Sequence, residues 1–414
     1  MASSHTESTE PLPLQDDTKT ISELHISEHV SDHGSQPNAG IFPDDTLNDK
    51  SIDSNFQAGV QKAEAVTIAW SPTALVVCYI TIWLVYFVQG ILAGVSTALL
   101  PYVTSDFAAH YLIPTTSVVS QVIGGVTNLA IAKILDIFGR PHGFLLCDFL
   151  ATVGLIMAAS CNGVEAYAAS QGFYTVGING LGYTLSVFIA DTTSLRHRGL
   201  VQALCNTPYL ITAWLAGPIS TSFLDSAGWR WAFGMESILL PTVALPLFGL
   251  FMFHGRKARK EGIIATQSQT KRTPWQSVAH YSREFDAVGL LLISTGFAFF
   301  LLPFNLYTLE AKGWKSAMII CFLIFGILLI AAFVTWQKYF AKICLVPWAL
   351  LRDRTALGSC TLSFVLFLSS TCWNSYFSSF LQVVNGLSVT HASYITQSGT
   401  VIQILANVVA GLCI

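Results

Sequence analysis

The chain has 414 residues, 52% hydrophobic and only 11% charged, with a mean hydropathy of +0.56. A soluble globular protein carries about 25% charged residues, so a soluble enzyme is excluded and an all-α polytopic membrane protein is implied. Residues 1–68 carry a net −9 and the remainder +6; an acidic tail joined to a mildly basic membrane body does not suit nucleic-acid binding.

Residues 1–68 are rich in Ser, Thr, Asp, Glu and Gln and poor in aromatics. They bury too little apolar surface to offset ordering entropy, which predicts a disordered cytoplasmic tail. His25, His29 and His33 recur every four residues, a spacing open to two readings, a metal site on one helix face or a solvated polar tail. No apolar h-region of a cleaved signal peptide lies in the first 60 residues.

Apolar runs near the ~20 residues needed to cross a bilayer follow in order. The first is about 74–100, closed by Pro101, with Asp106, His110 and Tyr111 in an outer loop. The second, about 113–131, and the third, about 144–161, flank the short charged stretch Ile131–Pro141. That stretch reads as a tight turn with Asp136, Gly139 and Arg140, in which Gly139 lets the chain reverse. The fourth run, about 166–190, holds Gly172, Gly177, Gly180 and Gly182, the mark of a close-packed helix. Asp191 and the Arg196-His197-Arg198 loop return the chain to the inner face.

The fifth run, about 200–224, contains Pro208, Gly217 and Pro218, candidate hinge positions. Gly228-Trp229-Arg230-Trp231 reads as an outer interfacial turn, and the sixth run is about 232–253. Residues 254–287 form a basic cytoplasmic linker, and four further runs lie at about 287–307, 316–336, 356–384 and 393–414. With the N-terminus cytoplasmic, inner segments hold 15 basic residues and outer loops three, the asymmetry that sets orientation. No polar tail follows the tenth run, which suggests a truncated chain. The nine cysteines are scattered with no CxxC and read as packing residues.

Ionisable groups within a bilayer are functional candidates by default. Asp148 and Glu236 each sit about a turn inside their spans on this reading, and Asp106 at the outer mouth. They are interfacial carboxylates or proton-coupling groups. Asp136, Gly139, Arg140 and Asp191 share the inner face, where a carboxylate and a guanidinium can latch one conformation. Tyr86, Gln89, Tyr209, Trp214, Trp373 and Asn374 are candidates for lining a substrate cavity, or else lipid-facing and interfacial side chains. No GxxxxGK[ST], HExxH or GxSxG occurs, so nothing points to an enzyme.

Ala132-x-x-x-Asp136-x-x-Gly139-Arg140 resembles the loop 2–3 signature of the major facilitator superfamily, and Gly217-Pro218 resembles part of its antiporter motif. Ala132–Arg140, Ile189–Gly199 and Gly228–Trp231 are together similar to the fungal siderophore–iron transporter branch. Two positions depart from the relevant patterns: Ala168 stands where drug antiporters carry Arg, and Val88-Gln89-Gly90 where siderophore carriers often carry an acid. The resemblance implies a fourteen-helix fold, with ten helices present, cut into a tail (1–68), a six-helix bundle (69–253), a linker (254–287), and two inserted helices with the start of a second bundle (288–414). It implies uptake of a ferric siderophore by proton symport through alternating access, by a monomer in the plasma, endosomal or vacuolar membrane. The siderophore iron is cargo, and no cofactor or resident metal is expected. The alternatives are multidrug or toxin efflux by proton antiport, and a non-transporting receptor or inactive fragment.

Overall fold

The computed structural model describes residues 70–107, 113–260, 286–307, 310, 312–340 and 352–413. The expectations for the tail, His25, His29, His33, His110, Tyr111 and most of the basic linker lie outside them. Helix α1 (Pro72–Asp106) opens where Ser71 accepts a hydrogen bond from the Ala74 amide at 3.3 Å, with Pro72 in the first position, whose absent N–H costs nothing there. It does not stop at Pro101 as the sequence suggests; it runs through the proline to Asp106. In an apolar surrounding a broken helix leaves more unpaired backbone than one missing amide does.

Helices α2 (Ile113–Phe138) and α3 (Arg140–Ser160) are separated by Gly139 alone. The expected eleven-residue turn is therefore mostly helix. Gly139 has φ +90°, a conformation that a side chain resists, and its amide still donates to the Leu135 carbonyl at 3.0 Å. Helix α4 (Val164–Thr192) lies tightly against α3. A Cβ at Gly177 would overlap the Ala151 backbone, and one at Gly154 the Tyr174 backbone, so these glycines set the helix separation. Gly182 faces open space and plays no such part.

The predicted fifth span is two helices, α5 (Leu195–Cys205) and α6 (Pro208–Asp225), broken at Asn206-Thr207. Pro208 starts α6 rather than bending a continuous helix, whereas Pro218 sits inside it. Helix α7 (Trp229–Lys260) extends into the expected linker. Helices α8 (Ala287–Leu301), α9 (Pro303–Leu306) and α10 (Ala317–Tyr339) form an apolar hairpin against α2. Helices α11 (Arg354–Val383) and α12 (Val389–Cys413) complete the described chain. Nine of the described helices are long and apolar enough to cross a membrane, α5 and α6 falling short individually.

The core lies within α1–α7. Phe144, Tyr167, Phe233, Leu240 and Leu247 are fully buried there, and Phe144 meets Phe251 edge-on at 6.0 Å, which fixes the register of α3 on α7. At the inner end Trp70 stacks on His254 at 4.0 Å, tying the start of α1 to the end of α7. The chain is a multi-pass membrane protein.

Candidate functional site

Three groups of polar side chains interrupt this apolar frame. The first is at the α2–α3 reversal. Arg140, the first residue of α3, is only 7% exposed. Its Nε donates to Asp191 Oδ2 at 3.1 Å, and its Nη1 donates to the Leu135 carbonyl at 3.3 Å and lies 3.7 Å from Asp136 Oδ1. A cation at a helix N-terminus opposes the α3 dipole; two carboxylates and a carbonyl from the closing turn of α2 compensate it. Arg198 repeats the device, donating through Nη2 to the Ala190 carbonyl at 2.8 Å near the end of α4. Lys133 lies within electrostatic reach of Asp136, and Tyr183 within reach of Asp136, Arg140 and Asp191. The structure thus brings Asp136, Gly139, Arg140 and Asp191 together. The Arg140–Asp191 pair joins adjacent helices of one bundle, not two bundles.

The second group lines the contact of α1 with α6. Tyr86 and Tyr209 have ring centroids 6.3 Å apart, and Gln89, 5% exposed, has no partner for its amide nitrogen among the described residues. Trp83 Nε1 donates to Thr207 Oγ1 at 3.0 Å, pinning the α5–α6 break onto α1. Trp214 is half exposed and packs on Tyr394 of α12 at 5.2 Å. Trp373 and Asn374 are not brought to this group. They are exposed on α11, where Trp373 packs on Phe377 and Asn374 bonds Ser370. Helix α6 also carries the seam to the later helices. A Cβ at Gly217 would lie 3.1 Å from Thr390 Cα and Ser393 Cβ, and Thr221 shares a 2.9 Å hydroxyl contact with Thr390. At the outer end of α1, the Tyr102 hydroxyl donates to Gln382 Oε1 at 3.2 Å.

The third group is acidic and lies inside the first bundle. Asp148 is 4% exposed and Glu236 0%. Both lie about two turns into their helices, deeper than the one turn expected from the edges of the apolar runs. Among the described residues Asp148 Oδ1 and both Glu236 oxygens have no hydrogen-bond partner. Asp106 behaves differently: it ends α1 rather than lying in a loop, 3.6 Å from Arg230. Arg230 also donates to the Cys161 carbonyl at 3.2 Å and stands 4.4 Å over the Trp229 ring, so one guanidinium binds the outer ends of α1, α3 and α7.

Sequence reasoning missed Arg230 as an organiser, counting it only as an outer charge. It also missed Asp286, placed in the linker. Asp286 caps α8, has φ +47°, and accepts from the Gly289 amide at 3.2 Å, from Trp336 Nε1 at 2.9 Å, and from Gln337 Nε2. The available signal was an aspartate immediately before an apolar run, the pattern of an N-cap. Among the described residues no group of three His, Cys, Asp or Glu side chains is placed to hold a metal ion. Of the eight described cysteines, Cys78, Cys147, Cys161 and Cys205 are buried and fit the packing reading, whereas Cys321, Cys360, Cys372 and Cys413 are exposed on their helices; Cys344 lies outside the described residues.

Residues 82–412 match the sequence profile of the Major Facilitator Superfamily. The chain is 44% identical over 363 residues to MFS siderochrome iron transporter 1 of Ajellomyces capsulatus, covering 88% of this chain and 62% of that protein. It is 40% identical over 359 residues to MFS siderochrome iron transporter D of Aspergillus fumigatus, covering 86% and 60%. It is 37% identical over 372 residues to siderophore iron transporter mirB of Emericella nidulans, covering 90% and 61%. The chain spans about three fifths of the length of the curated relatives it matches.

Proposed function

Because this chain belongs to the major facilitator superfamily, we propose that it acts as a secondary transporter taking up a ferric siderophore by proton symport, with its N-terminus cytoplasmic and in the plasma, endosomal or vacuolar membrane. The carrying observation is the 44% identity to a siderochrome iron transporter over nearly nine tenths of the chain. The substrate path runs between α1 and α6, beside Tyr86, Gln89 and Tyr209. Aromatic faces with one uncommitted amide suit a bulky chelate that presents carbonyl and hydroxamate-like oxygens. The α6–α12 seam at Gly217 and Thr390 is where the two halves move past each other in alternating access. The Arg140–Asp191–Asp136 cluster serves the inner gate by holding the ends of α2, α3 and α4 as one rigid unit. Asp148, Glu236 and Asp106 are its candidate proton-coupling groups.

The test is expression from the complete coding sequence in iron-starved cells that lack their own siderophore uptake. Growth on a ferric siderophore and accumulation of labelled iron, abolished by a protonophore, is the expected result. Drug resistance without iron uptake would replace this reading with efflux. Neither iron uptake nor resistance in cells that display the protein would favour the receptor reading.

A further inference from the structure

We infer that Glu236, buried inside the first bundle, is the group that binds the coupling proton. The inference deepens the proposed proton symport and rests on it. The described carboxylates at the inner cluster, the outer mouth and the α8 cap are answered by donors or cations. Asp136 and Asp191 share Arg140, Asp106 faces Arg230, and Asp286 accepts from Gly289, Trp336 and Gln337. Glu236 is fully buried, and neither of its oxygens has a partner among the described residues.

The groups facing it are phenols. Tyr167 and Tyr174 of α4 lie within electrostatic reach, with Ser96 of α1 beside Tyr174. The titratable and charged side chains of α3 are Arg140, His142, Cys147 and Asp148, of which Asp148 is the nearest to Glu236 along the helix. Phe144 and Phe251 fix the register, so Glu236 lies fifteen residues from that contact and Asp148 four, about 16 Å apart along the seam at 1.5 Å per residue. On α7 itself Arg230 is six residues away, about 9 Å along the helix, and engaged with Asp106 and the Cys161 carbonyl. The one charged side chain on α1 is Asp106.

An ionised carboxylate there has neither donor nor cation to compensate it, which a low-dielectric interior penalises heavily. The neutral acid fits, with the Tyr167 and Tyr174 phenols within electrostatic reach. The step is one O–H bond formed at a Glu236 oxygen with a proton from the outer solution and broken toward the inner solution. Release requires water or a cation to reach Glu236, and therefore a repacking of α7 against α1 and α3, the helices it lies on. Proton occupancy is thereby converted into a change of helix packing.

The experiment is an infrared titration of the purified protein in liposomes, paired with transport. The expected result is a protonated-carboxyl stretch that falls as pH rises, is lost in Glu236→Gln and persists in Asp148→Asn. Glu236→Gln, the permanently neutral mimic, should exchange labelled ferric siderophore across the membrane yet lose accumulation against a gradient and lose its pH dependence. A carboxyl band that does not titrate, or one that Glu236→Gln leaves in place, overturns the proposal, as does coupled, pH-dependent uptake by that variant. If Glu236→Gln fails to reach the membrane, titration of Asp148→Asn decides, since no titrating band then means no such site. Wild-type protein that transports no siderophore but retains the Glu236 band refutes the function proposed above, and not the proton site.

Discussion

The inner-face pair can be weighed by a double-mutant cycle between Arg140→Gln and Asp191→Asn. Arg140 is 7% exposed, whereas the side chains of Asp136 and Asp191 are 37% and 29% exposed. Losing the arginine thus leaves two carboxylates that water can reach, and losing Asp191 leaves a buried guanidinium with the Leu135 carbonyl and a carboxylate at 3.7 Å. A hydrogen bond to a charged group contributes about 1.5–3 kcal/mol, and exposed pairs less than about 1. The half-exposed partner places the coupling between these ranges, at about 1–2 kcal/mol, or roughly a five- to thirtyfold change in an equilibrium constant. Asp191→Asn should cost more than Arg140→Gln, because it strands the more buried charge. Thermal unfolding in detergent, with denaturant titration of the same four proteins, measures the coupling. Effects that add within about 0.3 kcal/mol would show that the 3.1 Å contact carries no coupling, and the rigid-unit role would fail with it.

Three further outcomes follow from the packing. Gly177→Leu drives a side chain into the Ala151 backbone and should cost more than about 3 kcal/mol, seen as loss of folded protein in membranes, whereas Gly182→Ala, facing open space, should be neutral or stabilising by up to about 1 kcal/mol. Asp286→Ala strands three donors and should destabilise the protein by about 3 kcal/mol; Asp286→Asn keeps an acceptor and tolerates the positive φ, so its thermal unfolding should sit much nearer wild type. Gly217→Val, at the α6–α12 seam, should leave the six-helix bundle folded in a thermal melt yet reduce transport at least about tenfold, since a 3.1 Å approach to Thr390 must open by more than a side chain allows.

Much of this architecture was legible because bilayer-length apolar runs are a one-dimensional signal. The runs gave helix order and the α2–α3 reversal at Gly139. What they could not give is depth. Hydropathy falls where polar residues begin, but α3 starts at Arg140 and α7 at Trp229, so Asp148 and Glu236 lie a full turn deeper than the apolar edges implied. Pro101 misled for a related reason: proline ends a helix in water, where freed carbonyls are solvated, but not where they have no alternative partner. Pro208 misled in the opposite direction, marking the start of α6 where a single bent span was expected. Trp373 and Asn374 share the residue types of Trp83 and Gln89, and only the packing of their helices separates a lining residue from an exposed one.

The two arginines together explain why the acids differ in what they can do. Arg140 draws α2, α3 and α4 together at one end of the bundle, and Arg230 draws α1, α3 and α7 together at the other. Each sets its carboxylates beside a positive charge. Such groups brace the bundle. Glu236 lies between the two braces with no hydrogen-bond partner among the described residues, and on the proposal above its charge follows proton supply. A bundle clamped at both ends would concentrate the consequence of that change in its middle, where α7 lies against α1 and α3. On the proposed mechanism the seam that yields is the one between α6 and α12, held by the close approach at Gly217, the Thr221–Thr390 hydroxyl pair and the Trp214–Tyr394 ring contact, with no ion pair between these two helices among the described residues.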